Sequence, residues 1–96
     1  MEKQNYYIVL YDFYGNLLSE KQQQYFEYYY FDNLSLSEIS ELLNISRNAV
    51  HKALKKIEEM LEFYEHNLQL YCKRKKLENI LKNVDEDLKN KIEKIY

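Results

Sequence analysis

The stretch "LSLSEISELLNISRNAVHKAL", Leu34 to Leu54, holds its acids in one half and its bases in the other. Arg47, Asn48, His51, Lys52 and Lys55 follow Ser46 at spacings that place them on one side of a helix at 100° per residue. Ala49, Val50, Ala53, Leu54 and Ile57 fall on the opposite side. No acid interrupts the polar side before Glu58, whereas the preceding run carries Glu38 and Glu41. These residue types recognise polyanions. An arginine can fork onto guanine, an asparagine can pair doubly with adenine, and lysines hold phosphates. Arg47 and Asn48 are therefore the candidate base readers, and Lys52, Lys55 and Lys56 the candidate phosphate contacts. The hydroxyls of Ser35, Ser37 and Ser46 would help at helix N-termini. His51 shares the face and can meet a base or nothing.

A second cluster, Lys73, Arg74, Lys75 and Lys76, follows Cys72. It reads as an extension of that footprint, as an RNA- or partner-binding patch, or as a solvated cap that complements the negative end of a helix dipole. Eleven tyrosines also raise the idea of base stacking on RNA. Most recur at core spacing, which favours packing. Other chemistry finds little support. No serine, cysteine or carboxylate has a histidine at an interpretable spacing, and no glycine-rich phosphate loop is present. His51, His66 and Cys72 fall on different faces of one helix and make a poor metal constellation, so no cofactor or metal is expected. A non-enzyme is the expectation.

The elements that must position these residues are helical. One glycine and no proline in ninety-six residues leave few turn formers, and the length suits one core. Net charge is only −2, yet Met1 to Ile45 holds seven acids against two bases while Ser46 to Lys76 holds eight bases against four acids. An anionic partner would dock on the middle third. A single cysteine and the lack of a long apolar run predict a cytoplasmic protein with no membrane insertion.

"YYIVLY" is rich in strand formers, but Tyr7, Leu10, Tyr11, Tyr14, Leu17 and Leu18 recur at helical spacing and predict a first helix. Ser19 with Gln22 predicts a capping box for a second, with Tyr25, Phe26, Tyr29 and Tyr30 as its buried face. Ser35 with Glu38 predicts another for a short third helix that turns Leu36, Ile39, Leu42 and Leu43 inward and stops at Asn44. Ser46 caps a fourth, in which Val50, Leu54, Ile57, Leu61, Tyr64, Leu68 and Tyr71 hold heptad spacing with no breaker before Asn67. That seam either packs on the first two helices or pairs with a second copy, or does one with each half.

Two short helices joined through Asn44, Ile45 and Ser46 have the layout of a helix-turn-helix, whose second helix enters the major groove. Ser40 is small at the crossing, Ile45 plugs the corner and Ala49 permits close approach. An ordinary helical hairpin with a solvated basic face is the alternative. It would mix the charge signs, and this segment does not.

The run from Tyr11 to Tyr71 resembles the YlxM-type family of small bacterial proteins, most specifically in "LLSEKQ", "YYYFDNLSLSEIS" and "SRNAV". That family is similar to the fourth region of bacterial sigma factors. The resemblance implies an all-α helix-turn-helix fold with a long helix after the recognition helix, a homodimer, and a DNA-binding regulator. It also implies a link to the signal recognition particle pathway, whose GTPase genes commonly neighbour the family's. The alternative function is an accessory factor that binds signal recognition particle RNA or its GTPase. Ser46, Arg47, Ala49 and Val50 match the family's turn and recognition helix, whereas His51 and Lys52 stand where members vary. Past Leu77 the sequence offers no match of its own. The expected organisation is a helix-turn-helix unit over 1–76 and a helical tail over 77–96.

Overall fold

The computed structural model describes residues 3–82, which form α1 (Lys3–Tyr14), a 3-10 turn (Gly15–Leu17), α2 (Glu20–Tyr30), α3 (Leu36–Leu43), α4 (Arg47–Leu68) and α5 (Leu70–Leu81). The all-α expectation holds. The tail beyond 82 lies outside the described residues, and α5 runs through position 77 without a break.

Each boundary has a local cause. Ser19 Oγ accepts from the Gln22 amide at 3.2 Å while Gln22 Oε1 accepts from the Ser19 amide at 3.0 Å, so two orphan donors of α2 are satisfied reciprocally. Ser35 and Glu38 repeat the arrangement at α3, at 3.1 and 3.0 Å. Asn44 ends α3 in the left-handed region at φ 55°, where its short polar side chain is tolerated. The Ile45 amide then reaches back to the Ser40 carbonyl at 3.0 Å. Gly15 is needed for close approach, because a Cβ there would stand 3.0 Å from the Tyr11 ring. That ring stacks on Phe26 at 4.2 Å between centroids, and Phe26 stacks in turn on Tyr30 at 4.3 Å.

α4 is the spine of the domain. Its Val50, Leu54, Ile57 and Leu61 are buried against Tyr7, Leu10 and Tyr14 of α1, Tyr25, Phe26 and Tyr30 of α2, and Ile39 of α3, which together form one core. The first half of the heptad seam is thus spent inside the chain, whereas Leu68 of its second half is 46% exposed. Tyrosine hydroxyls at the edge of this core meet acids of α4: Tyr7 Oη donates to Glu62 at 2.9 Å, Tyr14 Oη to Glu65 at 2.6 Å, and Tyr30 Oη to Glu58. The rings bury their carbon while the polar tips stay satisfied.

Several expectations about single residues need correction. Leu42 does not turn inward but is 58% exposed, because an eight-residue helix presents only a narrow packed face, centred on Ile39 with Leu36 and Leu43 at its flanks. Ile45, one residue past the left-handed Asn44, is 36% exposed and fills the corner only in part. Ala49 is exposed as well, and Tyr29 only half-buried. Leu17 is exposed in the 3-10 turn, outside the packed face of α1.

The fourth helix is also not continuous to Tyr71 but ends at Leu68. Gln69 takes a left-handed conformation at φ 54° and separates α4 from α5. The break is stabilised from the side: Glu65 accepts from the amides of Tyr71 at 3.1 Å and Cys72 at 3.2 Å, and Tyr14 Oη accepts from the Leu70 amide at 3.0 Å. Helix initiation leaves such donors orphaned, and here side chains reach them. α5 then folds onto α1, with Tyr71 against Tyr6 and Phe13. A left-handed glutamine costs about 1 kcal/mol that glycine avoids. Gln69→Gly is therefore expected to raise Tm by about 4–8 °C in a thermal melt followed by circular dichroism. An unchanged or lower Tm would contradict the kinked geometry.

Candidate nucleic-acid interface

The basic face begins with the first turn of α4. Ser46 caps it, its Oγ accepting from the Ala49 amide at 3.0 Å, and that turn contains no acid. α3 differs, because its capping box places the Glu38 carboxylate at the helix start and so opposes any anion there. Of the three serines singled out, Ser46 and Ser35 both spend their Oγ on a helix cap, and only the cap at Ser46 lacks an acid in its first turn. Ser35 Oγ accepts from Glu38, and the carbonyl of exposed Ser37 accepts from Ser40 Oγ at 2.7 Å.

Arg47, Asn48, His51, Lys52, Lys55 and Lys56 are all exposed. Among the described residues none of them has a side-chain hydrogen bond or ion pair, and the ion pair found there is Arg74 with Glu78 at 3.7 Å. The nearest acid downstream, Glu58, accepts from Tyr30 instead of pairing with Lys55. Tyr30, Tyr7 and Tyr14 thus hold Glu58, Glu62 and Glu65, and among the described residues no acid pairs with the cations at the start of α4.

Two open clefts flank this sector. One, of about 520 Å³, lies between the start of α3 and the start of α4 and is lined by Leu36, Arg47, Asn48 and His51. The other, of about 250 Å³, is lined by Lys3, Tyr29, His51, Leu54, Lys55 and Glu58. His51 borders both. Lys3 was not legible as a site residue: it enters from α1, far away in sequence, and only the packing of α1 on α4 brings it beside Lys55.

Lys56 lies apart from the others in a groove of about 370 Å³ with Glu59, Met60, Phe63 and Tyr64. The second cluster is placed differently from one of its expected readings. Because α5 starts at Leu70, Lys73 to Lys76 sit in its first two turns, at the positive end of the dipole, so they do not complement a helix C-terminus. Arg74 lies over the Phe13 ring at 4.7 Å and so joins α5 to α1, while Lys75 Nζ lies over the Tyr71 ring of its own helix at 5.4 Å. Lys73, Lys75 and Lys76 are exposed and Arg74 is half-buried. The tyrosines are mostly structural: Tyr7, Tyr14, Tyr25 and Tyr30 are buried, and Tyr6, Tyr11, Tyr28, Tyr29, Tyr64 and Tyr71 are half-buried.

Among the described residues no helix is long and apolar enough to cross a membrane. A family model described as "Putative helix-turn-helix protein, YlxM / p13 like" matches residues 1–96. The match therefore extends past Leu77, where the sequence by itself suggested none. A UPF0122 protein of Caldanaerobacter subterraneus subsp. tengcongensis is 49% identical over 78 residues, covering 81% of this chain and 67% of that relative. A UPF0122 protein of Halalkalibacterium halodurans is 47% identical over 77 residues, covering 80% and 71%. One from Lactococcus lactis subsp. cremoris is 42% identical over 91 residues, covering 91% and 82%.

Proposed function

We propose that this chain, which belongs to the UPF0122 family of YlxM/p13-like helix-turn-helix proteins, is a non-enzymatic, cytoplasmic regulator that binds duplex DNA with the N-terminal half of α4. The carrying observation is the exposed, unpaired cationic sector of Arg47, Lys52 and Lys55 behind an acid-free helix start. α3 braces α4 through Ile39 and Val50, and a major groove admits a helix presented this way. Arg47 and Asn48, at the tip, read base edges; Lys52, Lys55 and the start of α4 at Ser46 hold phosphates; His51 lies between them.

Selection of bound sequences from a random duplex pool tests this reading, followed by two variants. Arg47→Ala is expected to lose sequence preference, at a cost of about 1–3 kcal/mol on the preferred site. Lys55→Ala is expected to weaken all duplexes alike and to lower the salt slope by about one. Unchanged footprints for both would overturn the assignment.

A second reading rests on exposed Lys73 and Lys76 on α5. The family resemblance connects such a protein with the signal recognition particle, and these cations would serve its RNA or its GTPase. Recovery from lysate separates the cases. Retention of one small RNA that is lost on nuclease treatment supports an RNA partner, and GTPase retained after digestion supports a protein partner.

A further inference from the structure

The larger of the two clefts beside the basic sector has one wall that phosphate contact does not explain. Arg47, Asn48 and His51 of α4 line it on one side, and Leu36 of α3 lines it on the other. The three α4 side chains are polar and exposed, whereas Leu36 is aliphatic and half-buried. Leu36 is the first residue of α3, with one flank packed on the core and the other left on the cleft. The capping box of Ser35 and Glu38 fixes the backbone on which it stands, so the wall is preformed. Among the described residues Arg47 spends its guanidinium on no hydrogen bond or ion pair. Its edge and its face are both open at the same mouth.

An aliphatic wall at a base-reading tip matches one chemical group. Of everything that the base pairs turn to the major groove, the C5-methyl of thymine is the apolar part. We infer that Leu36 and the face of the Arg47 guanidinium form a seat for that methyl, so that the site selects a thymine directly 5′ of the guanine held by Arg47. The assignment rests on the DNA-binding reading and adds to it the base step that the site selects.

The stacking of the duplex supplies the geometry. An arginine forked onto guanine O6 and N7 lies in the plane of that base. Right-handed stacking then brings the C5 edge of the 5′ neighbour over the guanidinium face. A methyl there is covered by Arg47 on one side and would meet water on the other, which is the side that Leu36 closes. Cytosine at that place has no methyl and leaves Leu36 against solvent. A purine presents N7, a polar acceptor, to the same aliphatic wall. Ala49, also apolar and exposed in the first turn of α4, lies on the opposite side of the helix from Arg47 and His51. It cannot take the place of Leu36.

The decisive experiment leaves the protein unchanged and alters the DNA by one methyl. Sites enriched by the full chain from a random duplex pool are expected to carry 5′-TG-3′. Fluorescence anisotropy then compares that duplex with one holding uracil for the thymine, and a 5′-CG-3′ duplex with its 5-methylcytosine form. Losing the methyl is expected to weaken binding about fourfold, and gaining it to strengthen binding by about the same factor, as for one buried methyl group. Leu36→Ala is expected to bring both ratios to about one while the preference for guanine persists and helical circular dichroism is retained. Leu36→Met, apolar and of similar volume, is expected to keep both ratios. Equal affinity for thymine and uracil, with guanine preference still lost in Arg47→Ala, would overturn the inference and leave the DNA reading standing. Full methyl ratios in Leu36→Ala, or enriched sites without 5′-TG-3′, would overturn it too. A wild type that binds no duplex would sink the DNA reading itself, and this inference with it.

Discussion

Lys52→Glu combined with Lys55→Glu is expected to abolish duplex binding. Both side chains are exposed on the polar side of α4, and neither has a hydrogen-bond or ion-pair partner among the described residues. Their replacement therefore costs little stability, within about 0.5 kcal/mol for surface positions. Electrostatics change far more, because two phosphate contacts are lost and two like charges face the backbone. At about 1.5–2 kcal/mol per reversed site the loss amounts to several hundredfold in affinity. Fluorescence anisotropy of a labelled duplex at two salt concentrations reads it, with a wild-type log-log slope of roughly −4 per subunit. The same reversal at Lys73 and Lys76 is expected to leave duplex affinity nearly unchanged while removing any RNA affinity. The opposite ranking would move the interface to α5.

Alkaline pH is expected to unfold the domain cooperatively. Burial, reinforced by the hydrogen bond to Glu27, holds the Tyr11 hydroxyl up to about 12, and burial with the Glu65 hydrogen bond does the same for Tyr14. Tyr7 and Tyr30 are driven higher by burial and then by Glu62 and Glu58. Folded-state values above the usual tyrosine range mean that the native fold favours the neutral phenol. This contribution is complete below about pH 10 and is lost as pH rises from there through about 12. Three of the rings, Tyr7, Tyr14 and Tyr30, are buried, so a few kcal/mol are at stake against a typical domain stability of about 5–15 kcal/mol. Tyrosinate absorbance and helical circular dichroism are expected to change together, with a midpoint above pH 10. Ionisation of all tyrosines near pH 10 with the helices intact would show that the Tyr–Glu contacts contribute nothing.

The helix boundaries were legible because they are local chemistry. Ser19 with Gln22, Ser35 with Glu38, and Asn44 before Ser46 each act within four residues, and each sits where its pattern predicts. The charge division of the helix-turn-helix was equally plain, since it needs only helical periodicity. What escaped depends on partners distant in the chain. Asn67 alone is too weak a signal for the break at Gln69; Glu65 and Tyr14, fifty-one residues apart, meet there and cap α5. The acids of α4 looked like solvated charges until the tyrosines of α1 and α2 were placed against them. Leu42 and Ala49 fit an apolar periodicity, yet which apolar residues a short helix buries is decided by the shape of its neighbour.

Amide chemical-shift mapping during titration with a random duplex pool tests the central claim most directly. Specific broadening and shifts at Ser46 to Lys55, with Lys73 to Lys76 still, are the predicted result. Perturbations that avoid the start of α4, or an unmoved spectrum at low salt, would contradict it.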